Sequence, residues 1–181
     1  MYRVPPARAW WPAVGARLAR TLGITVTPTL HIRLASRLDA GLIAAMSRDL
    51  IEQGLPWSWR PERVARAIAA TNTNVAVVRE HDEIDAFGVM EYWEDDAHLV
   101  LFAVRPQRQR QGLGSALLLW LEASARIAGS KRVRLEARRD NDAARSFYNE
   151  HGYHELVIKS HLYSGVLDGI KLEKWLCPNE R

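Results

Sequence analysis

Apolar and polar residues alternate along the chain with two different periods, which separate strand-like from helix-like segments. Thr29–Ser36 alternates with a period of two and predicts a first strand, whereas Arg37–Gln53 has apolar residues at helical spacing. Pro61 suits the first turn of a second, short helix. Val75–Arg79 and Ile84–Trp93 then predict two antiparallel strands joined by a polar turn.

The second half of the chain follows the order strand, helix, strand, helix, strand, strand. Its predicted elements are His98–Val104, a helix beginning at Leu113, Val133–Arg139, Asp140–His151, Tyr153–Tyr163 and Lys171–Leu176. The strand His98–Val104 is apolar on both faces, as expected for a central strand covered on both sides. The pattern predicts a mixed α/β sheet with one strand–helix–strand crossover over residues 98–138, and such crossovers are right-handed.

Composition and charge predict one globular domain preceded by a basic segment. The 181 residues are 48% hydrophobic and 25% charged, which is ordinary for such a domain. The net charge of +4 comes from four arginines in residues 1–28, which hold no acid, and leaves 21 basic and 21 acidic residues beyond them. We therefore expect a loosely ordered basic extension over 1–28, one globular domain over 29–181, and no nucleic-acid-binding surface.

The same composition suggests a cellular compartment. No apolar run approaches the roughly 20 residues that span a bilayer, so no membrane association is expected. The N-terminal segment lacks the continuous apolar stretch of a secretory signal. Because Cys177 is the only cysteine and cannot form an internal disulfide, a reducing, cytoplasmic location is expected. A monomer and a homodimer both remain open.

A basic and glutamine-rich run, Arg105–Gln111, leads directly into a Gly-x-Gly turn. The run could be a nucleic-acid patch, a polar linker or the edge of a phosphate site, and the neutral charge of the domain disfavours the first. Gly112 and Gly114 precede a long predicted helix, where main-chain amides can bind an anion. A P-loop is excluded because no Gly-Lys pair occurs, and a dinucleotide fingerprint is excluded because Leu117 occupies its third glycine position.

Two stretches carry more specific motifs. The first reads "VRPQRQRQGLGSALL"; the second reads "LEARRDNDAARSFYNEHGY", in which Tyr148 follows Asn141 by seven residues and precedes Gly152-Tyr153. Together they resemble the two signatures of the GCN5-related N-acetyltransferase (GNAT) family, in the order that the family has. The resemblance covers about Thr29–Leu176. The segments "PWS", "LEAR" and "LYSG" are most similar to the family's ribosomal-protein-alanine N-acetyltransferase branch.

The resemblance implies a fold and a co-substrate. The fold has about seven mostly antiparallel strands with a parallel central pair and about four helices, and the co-substrate is acetyl-CoA. Main-chain amides at the glycine turn would hold the pyrophosphate, and a strand segment and an asparagine would bind the pantetheine arm. These residues are Gln109, Arg110, Gln111, Gly112, Leu113, Gly114 and Ser115 for the pyrophosphate, and Phe102, Ala103, Val104 and Asn141 for pantetheine, and Tyr148 is also expected to contact the coenzyme. Asn141 could instead cap the helix that follows, in competition with Asp140.

The resemblance also implies two catalytic side chains. Tyr148 would donate a proton to the departing thiolate, although helical spacing alone favours a core aromatic. Glu136 would act as the base, directly or through a water; alternatively it is a surface carboxylate paired with Arg134 or Arg138. A protein α-amine needs little help from a base, because about one in seven is neutral at pH 7, against about one in 2,500 lysines.

The acceptor amine stays open at this stage. A protein N-terminus and a small polyamine or aminoglycoside are both possible acceptors, and a non-catalytic acyl-CoA sensor is a third possibility. Trp57 and Trp59 could line the amine site or could pack their loop onto the core. His98 and the acidic Glu94–Asp96 segment have no spacing that indicates a metal site, so no metal is expected and a solvated turn is predicted there.

Overall fold

The structure is a computed structural model that describes residues 30–80, 83–163 and 167–176. The predicted basic extension over 1–28 and the lone Cys177 lie outside these residues, as do Thr29 at the start of the first predicted strand and the middle of the turn after Arg79.

The described strands form one seven-stranded sheet. They are β1 (Ile32–Leu34), β2 (Thr73–Glu80), β3 (Glu83–Trp93), β4 (Asp96–Val104), β5 (Arg132–Arg138), β6 (His154–Tyr163) and β7 (Leu167–Trp175). Their order in the sheet is β1-β2-β3-β4-β5-β7-β6. Neighbouring strands are antiparallel except for β4 and β5, which are parallel. The predicted mixed sheet with a parallel central pair is confirmed.

Four α-helices of the described chain cover the two faces of the sheet. They are α1 (Ala40–Leu50), α2 (Pro61–Ala69), α3 (Leu113–Ile127) and α4 (Asp142–Glu150). The helices α1 and α2 enclose one apolar core with β2, β3 and the end of β4. The helices α3 and α4 enclose the other, against β4, β5 and β7. The sheet thus separates two apolar cores, as the doubly covered pattern of β4 predicts.

Helix α1 is shorter than the pattern predicts. A 3₁₀ turn at Arg37–Asp39 precedes it, and it ends at Leu50 rather than Gln53. The reason lies in Glu52, whose side chain turns back and binds the loop that follows. Asp39 at the start is buried and accepts hydrogen bonds from Ser36 and from Arg33.

Other boundaries shift for equally local reasons. Helix α4 begins at Asp142 because Oδ1 of Asn141 accepts a hydrogen bond from the amide of Ala144 at 3.0 Å, so Asn141 and not Asp140 is the N-cap. Strand β4 begins at Asp96, earlier than predicted. Strand β7 begins at Leu167 rather than Lys171, because its first half pairs with both β5 and β6.

Candidate active site

The central strand β4 contains a bulge that determines the geometry of the site. Leu99 pairs with Met90 and Leu101 pairs with Val89, so Val100 is an extra residue without a partner in β3. In consequence Leu99 packs in the core under α3, whereas Leu101 packs in the core under α1 and α2. Because of the bulge, side chains at odd-numbered positions of β4 face α3 before Val100 and face α1 and α2 after it.

The two parallel strands part at this bulge. Strands β4 and β5 pair only from Asp96 and Arg132 to Leu99 and Leu135, although they continue to Val104 and Arg138. Beyond the last pair a gap opens between them, lined on each side by main-chain groups. An extended chain could enter this gap and pair with the strand edges.

Main-chain groups of β4 point into the gap. The amide of Arg105 donates to the carbonyl of Asp85 at 2.8 Å, and the next pair, Val104 with Ala86, must then be non-hydrogen-bonded in an antiparallel ladder. The amide and carbonyl of Val104, and by the same alternation those of Phe102, point away from β3. The side chain of Gln109 donates to the Val104 carbonyl at 3.2 Å, consistent with this orientation.

The glycine turn lies at the mouth of the gap and at the start of α3. Gly112 is the N-cap of α3 with φ 81°, a left-handed conformation that suits glycine, and it offers no side chain to cap the helix. Arg110 also has a positive φ of 60°. The alternating backbone signs and the uncapped first turn give a concave set of amide donors beside the positive end of the helix dipole, which suits a phosphate.

A cavity of about 490 Å³ connects the glycine turn with α4. Its lining residues are Phe102, Val104, Gln109, Arg110, Gly112, Gly114, Ser115, Asn141, Ala143, Ala144, Ser146, Phe147, Tyr148 and Glu150. The structure thus brings together nine of the residues predicted for acyl-CoA. Three predicted residues do not line the cavity: Ala103 and Leu113 are buried in the cores, and the exposed Gln111 bonds to the carbonyl of Gln107. The five other lining residues all lie on α4, within the second motif, but its spacing does not single them out: Ala143, Ala144, Ser146, Phe147 and Glu150.

Tyr148 lies on the wall of this cavity within an aromatic cluster. Only 7% of the residue is exposed, and its ring centroid lies 5.3 Å from that of Phe147 and 5.5 Å from that of Tyr153. Phe102 of β4, on the same face of the sheet, stacks on Phe147 with a centroid distance of 5.9 Å. Tyr148 is therefore both the core aromatic that its spacing indicates and a residue of the cavity.

The three arginines of the basic run have different positions. Arg105 donates through Nε to the carbonyl of Ile84 at 2.6 Å, and Arg108 lies 3.8 Å from the buried Asp85. Both are thereby held against β3, whereas Arg110 lines the cavity. Of the three, only Arg110 is placed to meet the charge of a phosphate there.

Glu136 lies on the opposite face of the sheet, where α1 and α2 pack. Its Oε2 lies 2.6 Å from Nε2 of His98, and its Oε1 lies 3.8 Å from Nζ of Lys171. The hydrogen bond to His98, with the positive charges of Lys171 and Lys159, outweighs burial and lowers the pKa of Glu136. Glu136 is therefore a carboxylate at neutral pH.

These contacts correct the alternative pairing given for Glu136. Neither Arg134 nor Arg138 pairs with Glu136: Arg134 lies against Asp96 and Glu173, and Arg138 donates to main-chain carbonyls at the end of α1. His98 lies in the central strand, as predicted, next to the last residue of β4 that pairs with β5. The structure, rather than the spacing of His98, reveals its partner.

The loop between α1 and α2 is held by a buried carboxylate that the sequence pattern did not reveal. Glu52 accepts hydrogen bonds from the hydroxyl of Ser47, from the amide and hydroxyl of Ser58 and from the amide of Trp59. Burial would raise the pKa of Glu52, but these hydrogen bonds hold it below its ordinary value. Trp59 is buried in the core, and Trp57 is half-buried and donates to the Trp59 carbonyl. The packing alternative therefore describes Trp59.

Two negative findings concern the described residues. None of their helices combines the length and apolar character needed to cross a bilayer. In the same part of the chain, no three His, Cys, Asp or Glu side chains are grouped so that they could hold a metal ion.

Comparison with known proteins identifies the class. The profile of the acetyltransferase (GNAT) family matches residues 44–153, which include both sides of the gap, the glycine turn and Tyr148. The chain belongs to the GNAT acetyltransferase family. Acetyl-CoA is thus the group that the family implies for the cavity, and the cavity's amide donors and Arg110 fit its phosphates.

Individual relatives are similar over part or most of the chain. The [ribosomal protein bS18]-alanine N-acetyltransferase of Escherichia coli strain K12 is 36% identical over 84 residues, 46% of this chain and 57% of that protein. The chain thus spans little more than half the length of the curated relatives that it matches. The crystal structure of the E. coli ribosomal-protein-S18-alanine N-acetyltransferase superposes with a TM-score of 0.68 at 27% identity, over 84% of this chain and 98% of that one. YncA from Salmonella typhimurium, solved with acetyl-CoA, has a TM-score of 0.70 at 20% identity over 84% and 96% of the two chains, and shows the fold alone.

Proposed function

We propose that the protein is an acetyl-CoA-dependent N-acetyltransferase that transfers the acetyl group to a primary amine by direct attack in a ternary complex. One observation carries the proposal: the gap between β4 and β5 lies between the cavity beside the glycine turn, on one face of the sheet, and the Glu136 carboxylate on the other. A thioester held in the gap would meet an amine arriving from the Glu136 face. Aligning the two reactants in this way is itself a major source of rate.

Binding of acetyl-CoA is assigned to the glycine turn and the edge of β4. The amides around Gly112 and Gly114 would hold the pyrophosphate, and Phe102 and Val104 would pair with the pantetheine arm through the main-chain groups that point into the gap. The amide of Val104 would then polarise the thioester carbonyl. Because the Asn141 side-chain oxygen caps α4, its NH₂ group is the part available to pantetheine.

Proton transfer is assigned to Tyr148 and Glu136. Tyr148 lies on the cavity wall, on the α4 side, and its hydroxyl would protonate the departing thiolate. The Glu136 carboxylate lies on the acceptor side and would take the amine proton, directly or through an intervening group. The two roles fall on opposite faces of the sheet, as an acid for the leaving group and a base for the nucleophile require.

Charge around Glu136 favours a protein α-amine over a polyamine or aminoglycoside. Lys171 and Lys159 both lower the pKa of Glu136 through their positive charge, so they lie close enough to repel a polycation. An α-amine carries one charge at most and is neutral in about one molecule in seven at pH 7. The bS18-alanine acetyltransferases among the relatives make an N-terminal alanine peptide of that ribosomal protein the first acceptor to test. A cytoplasmic location, where ribosomal proteins occur, is part of this proposal.

The experiment is release of free thiol from acetyl-CoA in the presence of a panel of amines. The panel contains a peptide with a free α-amine, the same peptide with a blocked α-amine and an internal lysine, and spermidine. We expect turnover with the first peptide at the highest kcat/KM. Saturable acetyl-CoA binding without turnover on any amine would overturn the proposal in favour of an acyl-CoA sensor.

A further inference from the structure

His98 and Glu136 form a close pair at the point where β4 and β5 part. Their side chains are 33% and 26% exposed, so both are sheltered but reachable from the acceptor face. His98 directly precedes the last residue of β4 that pairs with β5, and Glu136 directly follows the last residue of β5 that pairs with β4. The pair therefore borders the opening through which a thioester would be presented.

We propose that His98 and Glu136 act as a dyad, in which Glu136 orients the imidazole and His98 removes the proton from the acceptor amine. This inference rests on the proposed function and names the intervening group left open there. It makes His98 the residue that touches the amine, and Glu136 a positioning residue behind it.

The hydrogen-bonding capacity of the two groups supports this division. Glu136 has its Oε2 bonded to His98 and its Oε1 near Lys171, and its lowered pKa makes it a weak proton acceptor. An ionised carboxylate only accepts hydrogen bonds, so Nε2 of His98 must carry the proton between them. In a neutral imidazole the other nitrogen is then the acceptor. Among the residues that the structure describes, none hydrogen-bonds to Nδ1 of His98.

The proton balance is complete without a further reactant. An ammonium acceptor loses one proton to Nδ1 of His98, which passes it to solvent. The N–C bond forms, the C–S bond breaks, and the Tyr148 hydroxyl protonates the sulfur. The second amine proton then restores the tyrosine, so the products are amide, free thiol and one proton.

Other charged groups contribute to the electrostatic environment of His98. They lie on every strand near it and are Glu91 on β3, Arg134 and Glu136 on β5, Lys171 on β7 and Lys159 on β6. Glu91 and Arg134 are its register neighbours, and all five are present in every variant at His98. A change in pH profile that is confined to a His98 variant is thus due to the imidazole itself.

The test compares pH profiles of kcat/KM for the native chain, His98→Gln, Glu136→Gln and, as a matched control, His154→Gln on β6. A peptide with a free α-amine is the acceptor. His98→Gln keeps a hydrogen-bonding group toward Glu136 but cannot take a proton. We expect it to lower kcat/KM at pH 7 by about sevenfold with KM for acetyl-CoA unchanged, because about one α-amine in seven is neutral there without a base, and its kcat/KM to rise until the α-amine itself is neutral near pH 8. The pH profiles of the native and His154→Gln proteins should not follow the α-amine alone.

Glu136→Gln should cause a smaller loss and retain the native shape of the pH profile. Histidine-ring ¹⁵N chemical shifts, recorded without substrates, should show His98 protonated at Nε2 and should change in Glu136→Gln. A native pH profile in His98→Gln would overturn the proton-transfer role, and ring shifts insensitive to Glu136→Gln would overturn the dyad. If the native chain acetylates no amine, the proposed function fails and the catalytic role of His98 fails with it, while the ring shifts still report whether the pair exists.

Discussion

At the scale of single residues, Tyr148 separates a catalytic role from a structural one. Its ring packs against Phe147 and Tyr153, and these contacts need only the aromatic ring, not the hydroxyl. The proposed acid role needs only the hydroxyl. Replacing the residue by phenylalanine therefore removes the hydroxyl and keeps these ring contacts.

We expect Tyr148→Phe to lower kcat by about 10²-fold or more, because the thiolate would leave without a proton donor. The melting temperature and the affinity for acetyl-CoA should stay close to native. Steady-state kinetics, a thermal melt and calorimetric titration measure the three quantities. Tyr92→Phe is the matched control, since Tyr92 bonds to Asn74 outside the cavity and its loss should leave kcat unchanged. Unchanged kcat in Tyr148→Phe would refute the assigned acid.

The residue scale also shows where sequence reasoning reaches its limit. Motif spacing selected Tyr148, Asn141 and the glycine turn, because each occupies a fixed distance along one continuous segment. His98 and Glu136 are 38 residues apart and meet only through the register of two parallel strands. That register and the bulge at Val100 depend on how the whole sheet packs, so no local pattern contains them.

At the scale of elements, the start of α3 combines two glycines with different physical roles. Gly112 needs its left-handed φ, whereas Gly114 lies in the first turn of the helix and lines the cavity. A Cβ on Gly114 would meet Val104 at 3.4 Å and Phe147 at 3.5 Å, which are ordinary contacts. The fold therefore tolerates a methyl group at this position. In the cavity, however, the methyl group would take up space beside the amides that are proposed to bind pyrophosphate.

We expect Gly114→Ala to leave the free energy of unfolding equal or higher and to weaken acetyl-CoA binding. Gly112→Ala should instead destabilise the fold by about 1 kcal/mol, because alanine is strained at a φ of 81°. Gly41→Ala within α1 is the control: a Cβ there meets nothing within 4 Å, so stability should rise by up to about 1 kcal/mol without any change in binding. Urea denaturation and calorimetric titration provide both quantities. Native acetyl-CoA affinity in Gly114→Ala would contradict the assigned pyrophosphate site.

The elements were predictable from the sequence, whereas several of their boundaries were not, and the larger shifts have identifiable causes. The alternating and helical patterns located every described strand and α-helix. Helix α1 ends early because Glu52 leaves the helix to bind Ser58 and Trp59, contacts that lie across a loop. Strand β7 is longer than its apolar pattern because both of its edges are paired.

At the scale of the whole molecule, a buried carboxylate couples stability to pH. Asp39 connects the 3₁₀ turn before α1 with β1 and β2 through Arg33 and Arg79. Burial would raise the pKa of Asp39, but hydrogen bonds from Arg33 and Ser36 outweigh it and lower the pKa from an ordinary 3.8 to about 2. Because the folded pKa is the lower one, this stabilisation is complete above pH 3.8 and is lost as the pH falls toward 2.

We expect Asp39→Asn to be less stable than native at pH 7 and to lose less stability than native between pH 4 and pH 2. Denaturant melts across this pH range measure both effects. Asp49→Asn is the control, since Asp49 pairs only with the adjacent Arg48 on the surface and contributes little. If Asp39→Asn loses as much stability in acid as the native protein does, the ionised Asp39 carboxylate is not the source of the native protein's acid sensitivity.

In the proposed reaction, the gap in the sheet presents an acetyl thioester to an α-amine on the Glu136 face. The most direct test is mass spectrometry of a peptide that carries both a free N-terminal alanine and an internal lysine, after incubation with the protein and acetyl-CoA at pH 7. We expect one acetyl group, located by fragmentation on the alanine nitrogen. An unmodified peptide, or acetylation of the lysine alone, would contradict it.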